Sequence, residues 1–586
     1  AASSIGGANP YTLSGVISGA FGLTKLGANT VTLIATNTYS GTTISGGNLY
    51  VGSGGTAGVI PGNTSIGTGA RLVFNRSDDI SYGGNISGAG GLTKLGTNIL
   101  TLTGSGSYTG TTALSGGGLV ISNSAPTSTS SSIDGPAYLR IESPGAAFSG
   151  AFSTSGWTFG SNLTSVVIGK STNTADVTLA SAMSINGPIT VYGGTINLNN
   201  SIASALSGAA LTFNATSDIY TSNTAKTIQT VNGDITLNAD SDGNSAGVLN
   251  PDYTTYAAGT GSLTWRAHTV TWDVTSNATK PKLTGSQGAF VFESNASTFG
   301  QSINPTNWIV FPSTLTSLRV GKTTNTADVT LTGTGISVAG PVTIYGGNIS
   351  VSADVTSTVS GAAINLTGTK KISLGTSTTL QTSLGDINVK ASSLAGTDGG
   401  IDLGSSSALR SFGGNITLGG GYNGSQGNGL YSATSNAPGV LLTSSTIDAA
   451  GGNINIYGRN TATYDDGVRI SGGAITTSGT GSIGIYGDSY GGNNGTNVFG
   501  GITFDAAVTK IESDQGNITL SALLTNTQSN TTAALNFYRT SGSAGQTRHI
   551  QIVSKAGDIQ LTADRGTTGA SGIYMYSWGN VYLGSP

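Results

Sequence analysis

The stretch "GKSTNTADVTL" (Gly169 to Leu179) returns as "GKTTNTADVTL" (Gly321 to Leu331), identical at ten of eleven positions and 152 residues on. Such a polar sentence written twice is either a duplicated ligand-binding loop or a structural unit whose repetition is the point. Its surroundings repeat as well. "GPITVYGGTINL" (Gly187 to Leu198) returns as "GPVTIYGGNISV" (Gly340 to Val351), and "VNGDITLNA" (Val231 to Ala239) as "SLGDINVKA" (Ser383 to Ala391). "AYLRIES" (Ala137 to Ser143) has its counterpart in "AFVFES" (Ala289 to Ser294), so the unit is about 152 residues long.

Two further repeats frame this one. Near the N-terminus, Leu23, Lys25, Leu26 and Gly27 return as Leu92, Lys94, Leu95 and Gly96, and Tyr39 and Gly41 return as Tyr108 and Gly110. A short motif, Gly-[Asp/Asn]-Ile-x-[Leu/Val/Ile], begins at Gly233, Gly385, Gly414, Gly452, Gly516 and Gly557, with a looser copy at Gly579. Small-residue loops such as "YGGNNGTN" and "GGGYNGSQGNG" lie between copies. The motif reads as a corner followed by a strand. Gly supplies a positive φ, Asn or Asp bonds its own turn, and alternation sets Ile and Leu on one face.

Composition agrees. Gly is 93 of 586 residues and charged residues are only 8%, against about 25% in ordinary domains. Yet 36% of the chain is hydrophobic, in short β-branched runs, and Pro is only 13 residues, unlike a disordered chain. No strong amphipathic helix is visible; Ala203 to Leu211 and Leu520 to Leu524 come nearest. The expected fold is all-β, a right-handed parallel β-helix (β-solenoid). Coils of roughly 20–25 residues would stack at about 4.8 Å, giving on the order of 25 coils in an elongated rod of roughly 120 Å. A string of β-sandwiches is the rival, disfavoured because the repeats run together without Pro-rich or charged linkers. The expected divisions are 1–125, 126–288, 289–440 and 441–586, within one continuous solenoid.

A net charge of −3 and a pI near 5.4 leave no basic footprint for nucleic acid. No apolar run approaches the roughly 18 residues of a membrane span, so an integral membrane protein is not expected. The opening "AASSIGGANP" has no basic or apolar leader region, and reads as a mature end or an internal cut. Cysteine is absent, which a chain with a long repeated core tolerates and which suits export in an unfolded form.

The N-terminal units resemble the autotransporter-associated β-strand repeat. The pattern is carried by Gly22-Leu23-Thr24-Lys25-Leu26-Gly27, by Asn37-Thr38-Tyr39-Ser40-Gly41-Thr42 and by Gly47-Asn48-Leu49. The remainder, with "GDITLNA" and "GGNINIYG", resembles filamentous-haemagglutinin-like giant surface proteins of Gram-negative bacteria. These resemblances imply a secreted surface adhesin delivered through an outer-membrane translocator, with the chain a piece of something longer.

Chemistry finds little purchase. Glycoside hydrolysis needs two carboxylates about 5–10 Å apart, and the only glutamates are Glu142, Glu293 and Glu512, the first two being repeat equivalents. "ADSDGNSAG" places Asp240, Asp242 and Asn244 at calcium-loop spacing. The turn Gly and the closing Glu are both missing, so the segment reads as a turn before it reads as a calcium site. Two His and no Cys exclude a zinc site or a Cys-His nucleophile. Trp157, Trp265, Trp272 and Trp308 are the candidates for stacking on sugar rings, against the plainer reading that they fill the interior. No catalytic residue, cofactor or metal is expected. The expected function is that of an extracellular adhesin stalk, fibre or matrix subunit, self-associating or bound to a host or neighbouring cell surface. A carbohydrate-active or glycan-binding β-helix protein is the alternative.

Overall fold

The structure is a computed structural model describing residues 3–584, apart from 127–131, 222–223, 273–278, 286–287, 392–398, 420–437, 461–465, 490–491, 494–497, 506–507, 525–532, 538–548, 566–571 and 576–579. The loops "YGGNNGTN" and "GGGYNGSQGNG" and residue Gly579 lie wholly or largely outside the described residues. The chain forms two compact units, Ala1–Gly288 and Ala289–Pro586.

Each unit is a parallel β-helix, and alternation explains why. In "TVTL" (Thr30–Leu33) and "NLYV" (Asn48–Val51) every second side chain is buried, so one face of each strand is interior and the other meets solvent. Strands pair in parallel with the equivalent strand of the next coil. In the first unit, Leu100, Leu119, Leu139, Val166, Ile189, Leu211, Ile235 and Leu263 form one inward column, each paired with the next. All are at most 1% exposed, and burying each stabilises by about 1.5–3 kcal/mol. The second unit has its own column: Leu318, Val342, Ile364, Ile387, Ile416, Ile454, Ile483 and Ile518.

Coil length is not constant. Leu72 pairs with Leu92 and Leu92 with Thr112, a step of 20 residues. Ile518 pairs with Ile559, a step of 41. Steps of 18 residues (Val31 to Leu49), 27 (Leu139 to Val166) and 28 (Ile235 to Leu263) also occur in the first unit, so the expected 20–25 residues describe only part of the coils and are exceeded most in the later ones. The one helix among the described residues is a single turn, Pro305–Trp308, capped by Asn304. Both segments considered for helix are largely strand, Ile202–Ser207 and Ile518–Leu524.

The Gly-[Asp/Asn]-Ile motif forms a corner ladder. The Asp386 carboxylate accepts from the backbone N–H of Asn415 at 2.8 Å, Asn415 from that of Asn453 at 2.9 Å, and Asn453 from that of Ser482 at 2.9 Å. Asn517 accepts likewise from Asp558. Each side chain satisfies a donor one coil further on, not its own turn as the sequence suggested. The motif glycine also differs from expectation. In four of the six copies positive φ falls on the residue before it, at Asn232 (62°), Leu384 (63°), Gly413 (125°) and Gly451 (124°). The glycine is required because a Cβ at Gly452 would lie 2.0 Å from the carbonyl oxygen of Gly414 beneath it, and one at Gly414 2.1 Å from that of Gly385.

Candidate functional site

The doubled stretch is a set of inter-coil staples. Asn173 is 2% exposed and Asn325 1%. The Asn173 side-chain oxygen accepts from the N–H of Phe148 at 3.0 Å, in the coil before, while its amide donates to Tyr192 O at 2.9 Å, in the coil after. Asn325 repeats both bonds, with Phe299 at 3.2 Å and Tyr345 at 2.8 Å. Lys170 reaches the carbonyls of Pro144 and Gly145, and Lys322 that of Asn295. Asp176 and Asp328 accept from Thr195 and Asn348 N–H groups, each at 2.8 Å. Lysine and aspartate in both copies hold neighbouring backbone, and form no joint charged site.

Asp240 is fully buried, at φ 60°, and its carboxylate accepts from Ser245 N–H at 3.1 Å. Burial raises its pKa. Asp242 and Asn244 stand exposed on the same turn and bond each other, the Asn244 amide donating at 2.9 Å. The three calcium candidates are thus split between interior and surface. Among the described residues no group of three or more His, Asp or Glu gathers as a metal cluster.

Trp157 lies in an aromatic cluster, 5.9 Å from Phe152 and 6.2 Å from Phe159, and is 4% exposed. Trp265 is fully buried, 5.3 Å from Tyr256. Neither offers a ring face to a ligand outside. Trp272, 6.1 Å from Trp265, and Trp308, closing the helical turn, are half-buried.

Two features escaped the sequence reading. Lys25 and Lys94, the lysines of the N-terminal repeats, are fully buried. Lys25 Nζ donates to the carbonyls of Leu26, Gly27 and Gly46 at 3.0, 2.8 and 2.8 Å. Lys94 Nζ donates to those of Gly96 and Gly116, both at 2.9 Å, and to the Asn98 side chain at 3.0 Å. Each ammonium closes its own turn and the turn one coil on. Desolvation lowers both pKa values, that of Lys94 to about 8. Lysine is so rarely buried that only the exact recurrence of the residue hinted at an interior role.

The second feature is a charged surface patch in the second unit. Lys510 and Glu512 project from Val508–Ser513 and pair with each other; Lys555 reaches Glu512 at 2.9 Å and Asp514 at 2.7 Å. Hydrogen bonds from the two lysines hold Glu512 below the usual carboxylate range, Lys555 does the same to Asp514, and both carboxylates hold Lys555 above its ordinary value. Neither acid is poised to give up a proton near neutrality, as a glycosidase acid must.

Residues 23–51 and 92–121, the coils holding Lys25 and Lys94, match the Passenger-associated-transport-repeat. Over 93 residues the chain is 44% identical to the Adhesin BmaC autotransporter of Brucella suis biovar 1 (strain 1330). That match covers 15% of this chain and 3% of the relative. No solved structure matches the chain. Among the described residues no helix is long and apolar enough to cross a membrane.

Proposed function

Because its N-terminal coils are autotransporter-associated β-strand repeats, we propose that the chain is a β-helical passenger segment of a surface adhesin, displayed outside a Gram-negative cell after passage through an outer-membrane translocator. The observation that supports this most is the pair of matched repeats, each forming successive coils with its lysine sealed inside. The relative that is 44% identical over 93 residues is named an adhesin. In this reading the remaining coils, resembling filamentous-haemagglutinin-like proteins, extend the displayed surface, and the protein works by contact, without catalysis. A chain with only 8% charged residues and a net charge of −3 lets copies approach with little repulsion, which favours self-association beside attachment to host or neighbouring cells.

The test is made on cells that produce the protein. Antibodies to the purified chain label intact cells, and deleting its coding region lowers attachment to surfaces or to other cells. Labelling only after lysis, or undiminished attachment, overturns the reading.

A further inference from the structure

Repetition marks the structural staples of this chain, so a functional feature is best sought in charges that neighbouring coils do not share. The patch around Glu512 lies outside the duplicated segments, and it gathers charge in a chain that has little. In the coil before, the positions paired with Lys510 and Glu512 are Ala474 and Thr476. Across the next two coils Lys510 is followed by Gln551 and Tyr582, and Glu512 by Val553. Together they bound an open groove of about 470 Å³, with Val553 and Gly584 also lining it. That volume lies within the range of small-ligand sites. Tyr582 is 48% exposed, with its ring 5.6 Å from His549.

We propose that this groove binds a neutral saccharide and forms an adhesive contact of the passenger. The inference rests on the adhesin reading and assigns it a place and a ligand class. Within the groove Glu512 faces Lys510 and Lys555, and Asp514, just outside it, binds Lys555 as well. The four charges of the patch therefore balance, leaving little net field to attract a sulfated, phosphorylated or sialylated ligand, and Glu512 is already engaged by lysines rather than open to a cation. What remains is an aromatic ring, an apolar side chain at Val553, and fixed donors and acceptors side by side. A pyranose matches that pattern. Its C–H face packs on Tyr582. Each hydroxyl donates to a carboxylate and accepts from an ammonium, in charge-assisted bonds.

The test uses the full chain over immobilised neutral oligosaccharides of glucose, galactose, mannose and N-acetylglucosamine, with sialyllactose, heparin and uncharged peptides as competing probes. One or more neutral oligosaccharides are retained. Tyr582→Ala and Glu512→Gln each weaken retention about tenfold or more, Tyr582→Phe stays within about threefold, and melting curves show all three variants folded. The proposal is overturned if no neutral sugar is retained, if the variants bind as well as the parent, or if only the charged or peptide probes bind. Cell attachment that survives both groove variants overturns the groove and leaves the adhesin reading standing.

Discussion

The Lys94 ammonium lies 2.9 Å from the backbone oxygen of Gly116, one coil on, and Lys25 stands in the same relation to Gly46 at 2.8 Å. Both are repeat lysines. Removing Lys94 as Lys94→Met strips the donor from the carbonyls of Gly96 and Gly116 and from Asn98, all at a buried point. A loss of about 1–3 kcal/mol is expected at pH 7, read as a lower urea midpoint.

The same residue gives a pH dependence of definite sign. Its pKa falls from 10.5 to about 8 in the folded protein, so between those values the unfolded chain binds the extra proton. Its contribution to stability therefore rises with pH from about 8 to 10.5 and is flat below. The difference in midpoint between parent and Lys94→Met should widen from pH 7.5 to 10; a gap that narrows would contradict the assignment.

Gly452 is a steric glycine. Gly452→Ala places a methyl group against the carbonyl of Gly414, and a destabilisation of about 1–3 kcal/mol is expected. Gly15→Ala, where nothing lies within 4 Å, should stay within about 0.5 kcal/mol. Equal effects in denaturant titrations would remove the ladder as the reason for the motif.

Asn173 and Asn325 hold equivalent staples, so Asn173→Ala and Asn325→Ala should each cost about 1–3 kcal/mol. Neither change should alter saccharide retention. An effect on retention with no change in melting would restore the ligand-loop reading of the doubled stretch.

Millimolar calcium should leave the melting temperature within about 1 °C, for the parent and for Asp242→Asn alike, since a ligand stabilises only what it binds in the folded state. A rise in the parent alone would show that Asp240, Asp242 and Asn244 come together after all.

Much of the fold was legible because the β-helix writes itself in period two and in coil-length repeats: "TVTL" and "GDITL" say which side chains face in. The reason for each special residue was not. A corner glycine looks torsional from sequence, because the colliding carbonyl belongs to a neighbouring coil whose register sequence does not reveal; at Gly452 that carbonyl is 38 residues away in the chain, on Gly414. Asp and Asn look like turn formers for the same reason, although Asp386 serves Asn415 and not itself. Lys94 was visible only as a recurring letter, since its burial depends on two turns meeting above it. The groove at Tyr582 was invisible, because the motif copy from Gly579 does not say that Tyr582 pairs with Gln551 and so stands two coils from Lys510.

A corner bond of the ladder's kind joins Asn85 to Ser105, 20 positions apart, in the first unit, and the ladder itself joins Asn517 to Asp558, 41 apart, at 2.8 and 2.9 Å. The bond does not register how much chain intervenes. Such a scaffold can gain or lose a loop between corners without any rung shifting. New outer surface can therefore be tried by insertion alone, leaving the folded frame intact while its exposed face is rewritten.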